Sequence, residues 1–156
     1  MIKVNLVAVG KVKEKYFKEG IEEYAKRLSK YCDFNIIEVA EENFNNVTDK
    51  LIEQIKEKEE QKILPHLKGY VFSLAIEGEQ FSSPKFAKKI NELASLGKEI
   101  TFVIGGSYGL SDKVKGKSDK LLSFSEMTFP HTLFRLMLSE QIYRAFSIIN
   151  GSAYHK

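Results

Sequence analysis

The chain has 156 residues, a length that fits one domain with its own hydrophobic core, and we expect a single domain over residues 1–156. Hydrophobic residues (43%) and charged residues (29%) occur in the proportions of an ordinary globular domain, which excludes a disordered or fibrous chain. The net charge of +3 permits an acidic partner without requiring one.

Cysteine and histidine usage limits the redox and metal chemistry. Cys32 is the only cysteine, so no disulfide can form within the chain, which is typical of a reducing compartment. His66, His131 and His155 lack the spacing of metal ligands, and we expect no metal. No apolar run approaches the ~18 residues that span a bilayer, and residues 1–10 lack the features of a signal peptide. The sequence therefore predicts a cytoplasmic protein without a membrane partner.

Strands and helices alternate along the chain. The apolar patterns predict strands over residues 2–9, 34–39, 70–76, 100–104 and 121–125. They predict helices over residues 14–31, 48–64, 82–96 and 132–150. This alternation implies parallel crossover connections, and therefore an α/β fold in which a parallel-rich sheet is flanked by helices on both faces. We interpret the charges of residues 41–61 as a solvent-exposed helix face.

Three loops that follow predicted strands have unusual sequences. They comprise residues 74–78, 104–110 and 124–131. In an open parallel sheet, ligands bind beyond the carboxyl ends of the strands, so these loops predict a binding site. Gly105 and Gly106 would let a ligand approach the backbone, although a simple tight turn explains them equally well.

The glycine spacing excludes two phosphate-binding motifs. Gly105, Gly106 and Gly109 do not follow the G-x-G-x-x-G pattern of dinucleotide-binding proteins. Gly116-Lys117-Ser118 supplies the end of a P-loop, but Ser111 stands where that motif requires its first glycine. A glycine loop without Lys or Arg at its turn favours a ligand with little negative charge, such as S-adenosylmethionine. An apolar wall for such a ligand, or simply part of the core, would come from Leu74, Leu110, Met127 and Phe129.

The last predicted helix carries apolar residues on nearly every side. Such a helix must be buried on more than one face, which in a small protein predicts a homodimer with two-fold symmetry. Glu140 and Arg144 form an i,i+4 pair that we interpret as a structural ion pair. Arg135 lies among apolar residues and needs an anionic partner, which favours a functional role.

The two ends of this segment offer further candidates. His131 follows a proline at the start of the helix, where either a cap or a catalytic group would fit. The chain ends at Tyr154-His155-Lys156, and terminal residues usually fray. An aromatic ring and an imidazole beside basic residues are alternatively suited to contacting a nucleobase.

Taken together, these residues resemble the ribosomal RNA large subunit methyltransferase H family, pseudouridine-N3 methyltransferases of the SPOUT, or knotted, class. The resemblance covers essentially the whole chain, and residues 41–69 match least well. It is carried by residues 7–11, 23–24, 26–28, 37–39, 104–106, 109–110, 122–123, 127–128, 130–131, Glu140, 143–145 and the terminal Tyr154-His155.

The resemblance implies an α/β knot, with a C-terminal trefoil knot in which the last segment passes through a loop. It implies S-adenosylmethionine as cofactor, with contacts at Leu74, Gly105, Phe124, Ser125, Glu126, Met127, Thr128 and Phe129. The implied substrate is a pseudouridine of 23S rRNA in the assembled ribosome. Tyr108 departs from the family, whose members can carry a smaller or polar residue there, which puts adenine-side contacts at this position in doubt.

The mechanism expected from these residues is direct methyl transfer to N3 of the pseudouridine. His131 or His155 would act as the base, because imidazole is the side chain that titrates near neutral pH. Arg135 and Tyr154 would hold the nucleoside. Two alternatives stay open, namely a non-catalytic α/β dimer that binds ribosomal RNA and a transfer-RNA methyltransferase of the same class.

Overall fold

The computed structural model describes residues 1–156, with five strands and five helices. The strands are β1 (Lys3–Val9), β2 (Asp33–Val39), β3 (Tyr70–Gln80), β4 (Ile100–Ile104) and β5 (Lys120–Ser123). The helices are α1 (Lys15–Leu28), α2 (Asp49–Ile63), α3 (Ser83–Ser95), α4 (Asp112–Gly116) and α5 (His131–Ile149), with a 3-10 turn at Leu64–His66.

The five strands form one sheet in the order β2-β1-β4-β3-β5, and every neighbouring pair is parallel. Side chains of β1 alternate between two apolar clusters, as the period of a strand requires. Leu6 joins the larger cluster, which includes residues of α1, α3 and α5. Val7 joins the smaller cluster on the other face, which includes residues of α2 and α4. The predicted parallel sheet with helices on both faces is therefore confirmed.

Strand β3 runs four residues beyond its predicted end because it contains an irregularity. Leu74 and Glu79 both pair with Leu122 of β5, so the residues between them bulge out of the ladder. Gly78 returns the chain to the sheet so closely that a Cβ there would lie 2.6 Å from the carbonyl carbon of Leu121. Only glycine permits this approach, and the bulge brings residues 74–77 to the carboxyl edge of the sheet.

The charged segment before and within α2 is only partly the exposed face that the sequence predicts. Glu59 and Glu60 are buried, with 3% and 8% of their surface exposed. Burial is tolerated because both carboxylates accept hydrogen bonds, Glu59 from the main-chain nitrogen of Glu42 (3.2 Å) and Glu60 from the Ser111 hydroxyl (2.6 Å). The interpretation of the whole segment as a solvated face is wrong at these two residues.

None of the helices combines the length and the continuous apolar character that a membrane-spanning helix requires. On the face of the larger cluster, α5 packs against both α1 and α3. The threading of the C-terminal segment through a knot stays a prediction, with which this sheet order is compatible.

Candidate functional site

A cavity of about 750 Å³ lies at the carboxyl edge of the sheet, where the bulge of β3 and the loops after β4 and β5 converge. These are the three loops that the sequence predicts as a binding site. Their convergence follows from the parallel order, because β3 lies between β4 and β5. The lining comprises residues 74–77, 104–110, 123–125, 127–131, Lys115 and Phe134.

The expected cofactor contacts gather around this cavity. Leu74, Gly105, Phe124, Ser125, Met127, Thr128 and Phe129 all line it, whereas Glu126 does not. Its apolar wall is held in place by aromatic packing, since the ring of Phe134 on α5 lies 4.9 Å from that of Phe124 and 6.0 Å from that of Phe129. Met127 stands at the mouth with 73% of its surface exposed.

The main chain of the loop after β5 is available for recognition. Residues 125–129 make no backbone–backbone hydrogen bond. Two of their main-chain groups bond to serine hydroxyls, the nitrogen of Met127 to that of Ser125 (3.0 Å) and the carbonyl oxygen of Ser125 to that of Ser123 (3.1 Å), and the others are free. Free N–H and C=O groups require partners, which an adenine or ribose can supply. Together with the apolar wall and the absence of a cationic phosphate-binding turn, this donor set fits S-adenosylmethionine.

The glycine loop after β4 is a tight turn that also forms part of the cavity wall. Gly106 and Gly109 pair in an isolated antiparallel bridge, and Gly109 has a φ of +81°. A Cβ on Gly105 would lie 2.8 Å from the carbonyl carbon of Gly109, so the two sides of the turn touch through their backbones. Both interpretations of these glycines, tight turn and cavity wall, describe the same loop.

Carboxylates support the glycine loop from behind. The Ser107 hydroxyl donates to Glu41 across 3.1 Å, and a Cβ on Gly106 would lie 3.3 Å from a carboxylate oxygen of Glu59. Burial raises the pKa of Glu59, and the nearby charges of Glu41 and Glu42 act in the same direction. These contacts were not predicted, because Glu41 and Glu59 lie in the segment interpreted as solvent-exposed.

The cavity wall also contains an ion pair that the sequence does not predict. Lys115 of α4 donates to Glu77 of the β3 bulge across 2.8 Å, and both residues line the cavity. The hydrogen bond from Lys115 holds the pKa of Glu77 below its usual range. No sequence signal pointed to Lys115, because α4 has only five residues and no apolar periodicity.

His131 and Arg135 lie on the first turns of α5, beside the residue that follows β1. His131 lines the cavity, and its Cε1 atom would be 3.6 Å from a Cβ on Gly10. Arg135 is buried, pairs with Glu38 of β2 and donates to the carbonyl oxygen of Gly10 across 3.0 Å. The anionic partner that the sequence demanded for Arg135 is thus present within the chain.

The C-terminal tail lies farther along α5. The Tyr154 hydroxyl donates to Glu140 across 3.2 Å, and the Nδ1 atom of His155 lies 3.1 Å from Arg144. The predicted Glu140–Arg144 ion pair is confirmed at 3.0 Å. Nine residues of helix separate His131 from Glu140, about 13 Å at 1.5 Å per residue. Within one chain, the four candidate catalytic residues therefore form two separate groups.

A smaller cavity of about 340 Å³ lies between these two groups. It shares Ser123, Phe124 and Phe129 with the larger cavity and reaches Glu140 and Gln141 on α5. Its wall also contains residues of α3. Glu140, which binds Tyr154 and Arg144, thus lines a cavity that shares Phe124 and Phe129 with the larger one.

The family assignment rests on similarity over nearly the whole chain. A family model described as "Predicted SPOUT methyltransferase" matches residues 2–155. The ribosomal RNA large subunit methyltransferase H of Limosilactobacillus reuteri is 52% identical over 157 residues, which cover 98% of this chain and 99% of that protein. The protein of the same name from Clostridioides difficile is 53% identical, with the same coverage. This chain belongs to the ribosomal RNA large subunit methyltransferase H family of SPOUT methyltransferases. The resemblance found in the sequence is confirmed.

Solved structures agree on the architecture of this SPOUT methyltransferase. A "probable methylase family protein" from Haemophilus influenzae superimposes with a TM-score of 0.58, covering 100% of this chain and 72% of that chain. Its sequence is only 12% identical, so the likeness concerns the fold alone.

Proposed function

We propose that this SPOUT methyltransferase transfers a methyl group from S-adenosylmethionine to N3 of a pseudouridine in 23S rRNA of the assembled ribosome. The observation that carries the cofactor assignment is the cavity at the carboxyl edge of the sheet, with its apolar wall and the segment 125–129, which makes no backbone–backbone hydrogen bond. The substrate assignment is supported by the names of the relatives, which are ribosomal RNA large subunit methyltransferases.

The residues that would hold the cofactor are Leu74, Gly105 and the segment from Phe124 to Phe129. Their main-chain groups would bind the adenosine, and the rings of Phe124 and Phe129 would exclude water from the reacting sulfur. When bound, S-adenosylmethionine would supply an electrophilic methyl group, so that the N3–C bond would form as the S–C bond breaks and leaves its electron pair on the sulfur.

The N3 atom of pseudouridine carries a proton that must leave during the reaction. We assign His131 as its acceptor, because this imidazole lies at the cavity wall beside Gly10. In the observed tail, His155 is less suited to this role in its own chain. The Arg144 guanidinium only donates hydrogen bonds, so Nδ1 of His155 is the accepting nitrogen and its proton is on Nε2.

The separation of His131 from the tail favours a homodimer in which one copy completes the site of the other. Tyr154 and His155 contact Glu140 and Arg144, and Glu140 lies about 13 Å of helix rise beyond His131, so the tail does not contact His131 in its own chain. A partner's tail at the cavity would bring the aromatic ring and second imidazole to the nucleoside. Arg135 would then position the loop at Gly10. It would contact a phosphate or the base of the RNA only after giving up its bond to Gly10 or to Glu38.

We expect the enzyme to act in the cytoplasm, where ribosomes are. Radiolabelled S-adenosylmethionine tests the proposed function with purified enzyme and ribosomes from cells that lack the gene. We expect label on one pseudouridine of 23S rRNA in assembled ribosomes. A heterodimer of a His131→Ala copy with a copy truncated after Ser152 tests the composite site, because one of its two sites keeps both parts. Activity above that of either parent homodimer would support it.

Three other outcomes assign the alternatives. Label on transfer RNA, with none on ribosomes, would indicate a transfer-RNA methyltransferase of the same fold. Salt-dependent binding to ribosomes without cofactor binding would indicate a non-catalytic RNA-binding dimer. A monomeric mass by sedimentation, with full activity, would refute the composite site while leaving the methyltransferase assignment intact.

A further inference from the structure

The segment between β1 and the first turns of α1 presents positive charge beside the cavity. Residues 11–18 contain four lysines and a single glutamate, and all four lysines are exposed. Lys15 pairs with Glu19, whereas Lys11, Lys13 and Lys18 take part in none of the ion pairs of the structure. Unpaired ammonium groups at the surface are available for phosphates.

An exposed aromatic ring stands within this positive segment. Tyr16 has 69% of its surface exposed, and it lies off the apolar face that buries Ile21 and Leu28 of the same helix. Its ring is braced edge-to-face by Phe17, with centroids 4.6 Å apart. A braced aromatic ring with a free face stacks on an unpaired base at little cost in conformational entropy.

The segment is fixed to the functional site through Gly10. Arg135 binds the carbonyl oxygen of Gly10, and His131 of the cavity wall lies against the same residue. Lys11 therefore follows directly on the residue that His131 of the cavity wall contacts. An RNA strand with its target base at His131 would find the lysines and Tyr16 in the segment that continues from Gly10.

We propose that Lys11, Lys13, Lys18 and Tyr16 form an RNA-docking surface that binds the strand flanking the target base, with the lysines on its phosphates and Tyr16 stacked on an unpaired base. This inference rests on the proposed function for the identity of the RNA. A second copy of the chain is a poorer occupant, because a two-fold contact through this surface would bring its lysines close to their own counterparts.

Variants of this surface test the proposal. For each variant, KM and kcat are measured for the methylation of ribosomes, and equilibrium binding to ribosomes is measured at several salt concentrations. Tyr16→Ala should raise KM for ribosomes about tenfold, and Tyr16→Phe should restore it, because only the ring is required. The triple variant Lys11→Ala, Lys13→Ala, Lys18→Ala should lower the slope of log affinity against log salt by about 2, at ~0.7 per lost phosphate contact. Cofactor affinity, measured by calorimetry, should not change.

The matched control removes three exposed lysines elsewhere, by Lys85→Ala, Lys88→Ala and Lys98→Ala on α3 and the turn after it, and should keep the wild-type slope. Wild-type KM and slope in the surface variants would overturn the docking surface while methylation itself stands. A change of oligomeric mass in Tyr16→Ala would also overturn it, in favour of a contact between copies. If the wild-type protein does not methylate ribosomes, the proposed function fails, and the same salt series with a single-stranded RNA decides the docking surface.

Discussion

The guanidinium of Arg135 donates a hydrogen bond across 3.0 Å to the carbonyl oxygen of Gly10, the residue that follows β1. The same side chain pairs with Glu38 at the end of β2 and has only 3% of its surface exposed. Arg135 therefore ties the start of α5 to two neighbouring strands at the edge of the cavity. Its burial makes this contact a part of the fold as well as of the site.

Arg135→Ala should lower the free energy of unfolding by about 3 kcal/mol, because it leaves a buried carbonyl and the Glu38 carboxylate without their donor. Glu38→Gln should cost a similar amount, about 3 kcal/mol, because it keeps an acceptor oxygen but leaves the buried guanidinium without an anion. Urea denaturation measures both. An Arg135→Ala protein of wild-type stability but raised KM for ribosomes would mean that Arg135 serves the substrate alone.

His131→Ala should lower kcat by about 10²–10⁴-fold, as expected for the loss of a general base, while the affinity for S-adenosylmethionine stays close to that of the wild type. His66→Ala, in the 3-10 turn, is the control and should keep full turnover. Single-turnover methylation of ribosomes is the measurement. Normal turnover in His131→Ala and loss of it in His155→Ala would move the base to the tail.

Gly105→Ala should weaken cofactor binding tenfold or more, because its Cβ would lie 2.8 Å from the backbone of Gly109 and force the glycine loop open. Gly116→Ala is a matched control, since nothing lies within 4 Å of its Cβ and its backbone is helical. Calorimetric titration with S-adenosylmethionine compares the two. Equal affinities would show that the loop does not need its tight turn to bind the cofactor.

Glu59→Gln should raise the free energy of unfolding at pH 7. Burial raises the pKa of Glu59, so the folded chain holds its proton more tightly than the unfolded chain does. Stability of the wild type therefore decreases as pH rises through the folded-state pKa, and the advantage of the glutamine variant should shrink as pH falls. The Gln side chain keeps an oxygen for the nitrogen of Glu42.

Thermal unfolding between pH 4 and pH 8 measures the difference in stability between Glu59→Gln and the wild type. Glu57→Gln, at an exposed position of the same helix, is the control. A constant difference between Glu59→Gln and the wild type at all pH values would show that the Glu59 charge is not the cause.

Local signals in the sequence predicted the elements that make up the sheet. The strand at residues 100–104 has the predicted bounds, and Thr48 and Ser82, the first residues of two predicted helices, are the N-caps of α2 and α3. The three loops of the cavity were also predictable, because the carboxyl ends of parallel strands meet at one edge of a sheet. Short α4 and the bulge of β3 were not, since neither has an apolar period.

The amino-acid sequence by itself determined the parallel α/β class, the family and the three loops that meet at the cavity, because periodicity, capping and glycine spacing are local properties. Only the tertiary structure decided which partners those residues meet. It gave Arg135 an anion from β2, buried Glu59 behind the glycine loop, joined Lys115 to Glu77, and separated His131 from the tail along α5. Such pairings join segments distant in sequence, and they arise only when the sheet order brings those segments together.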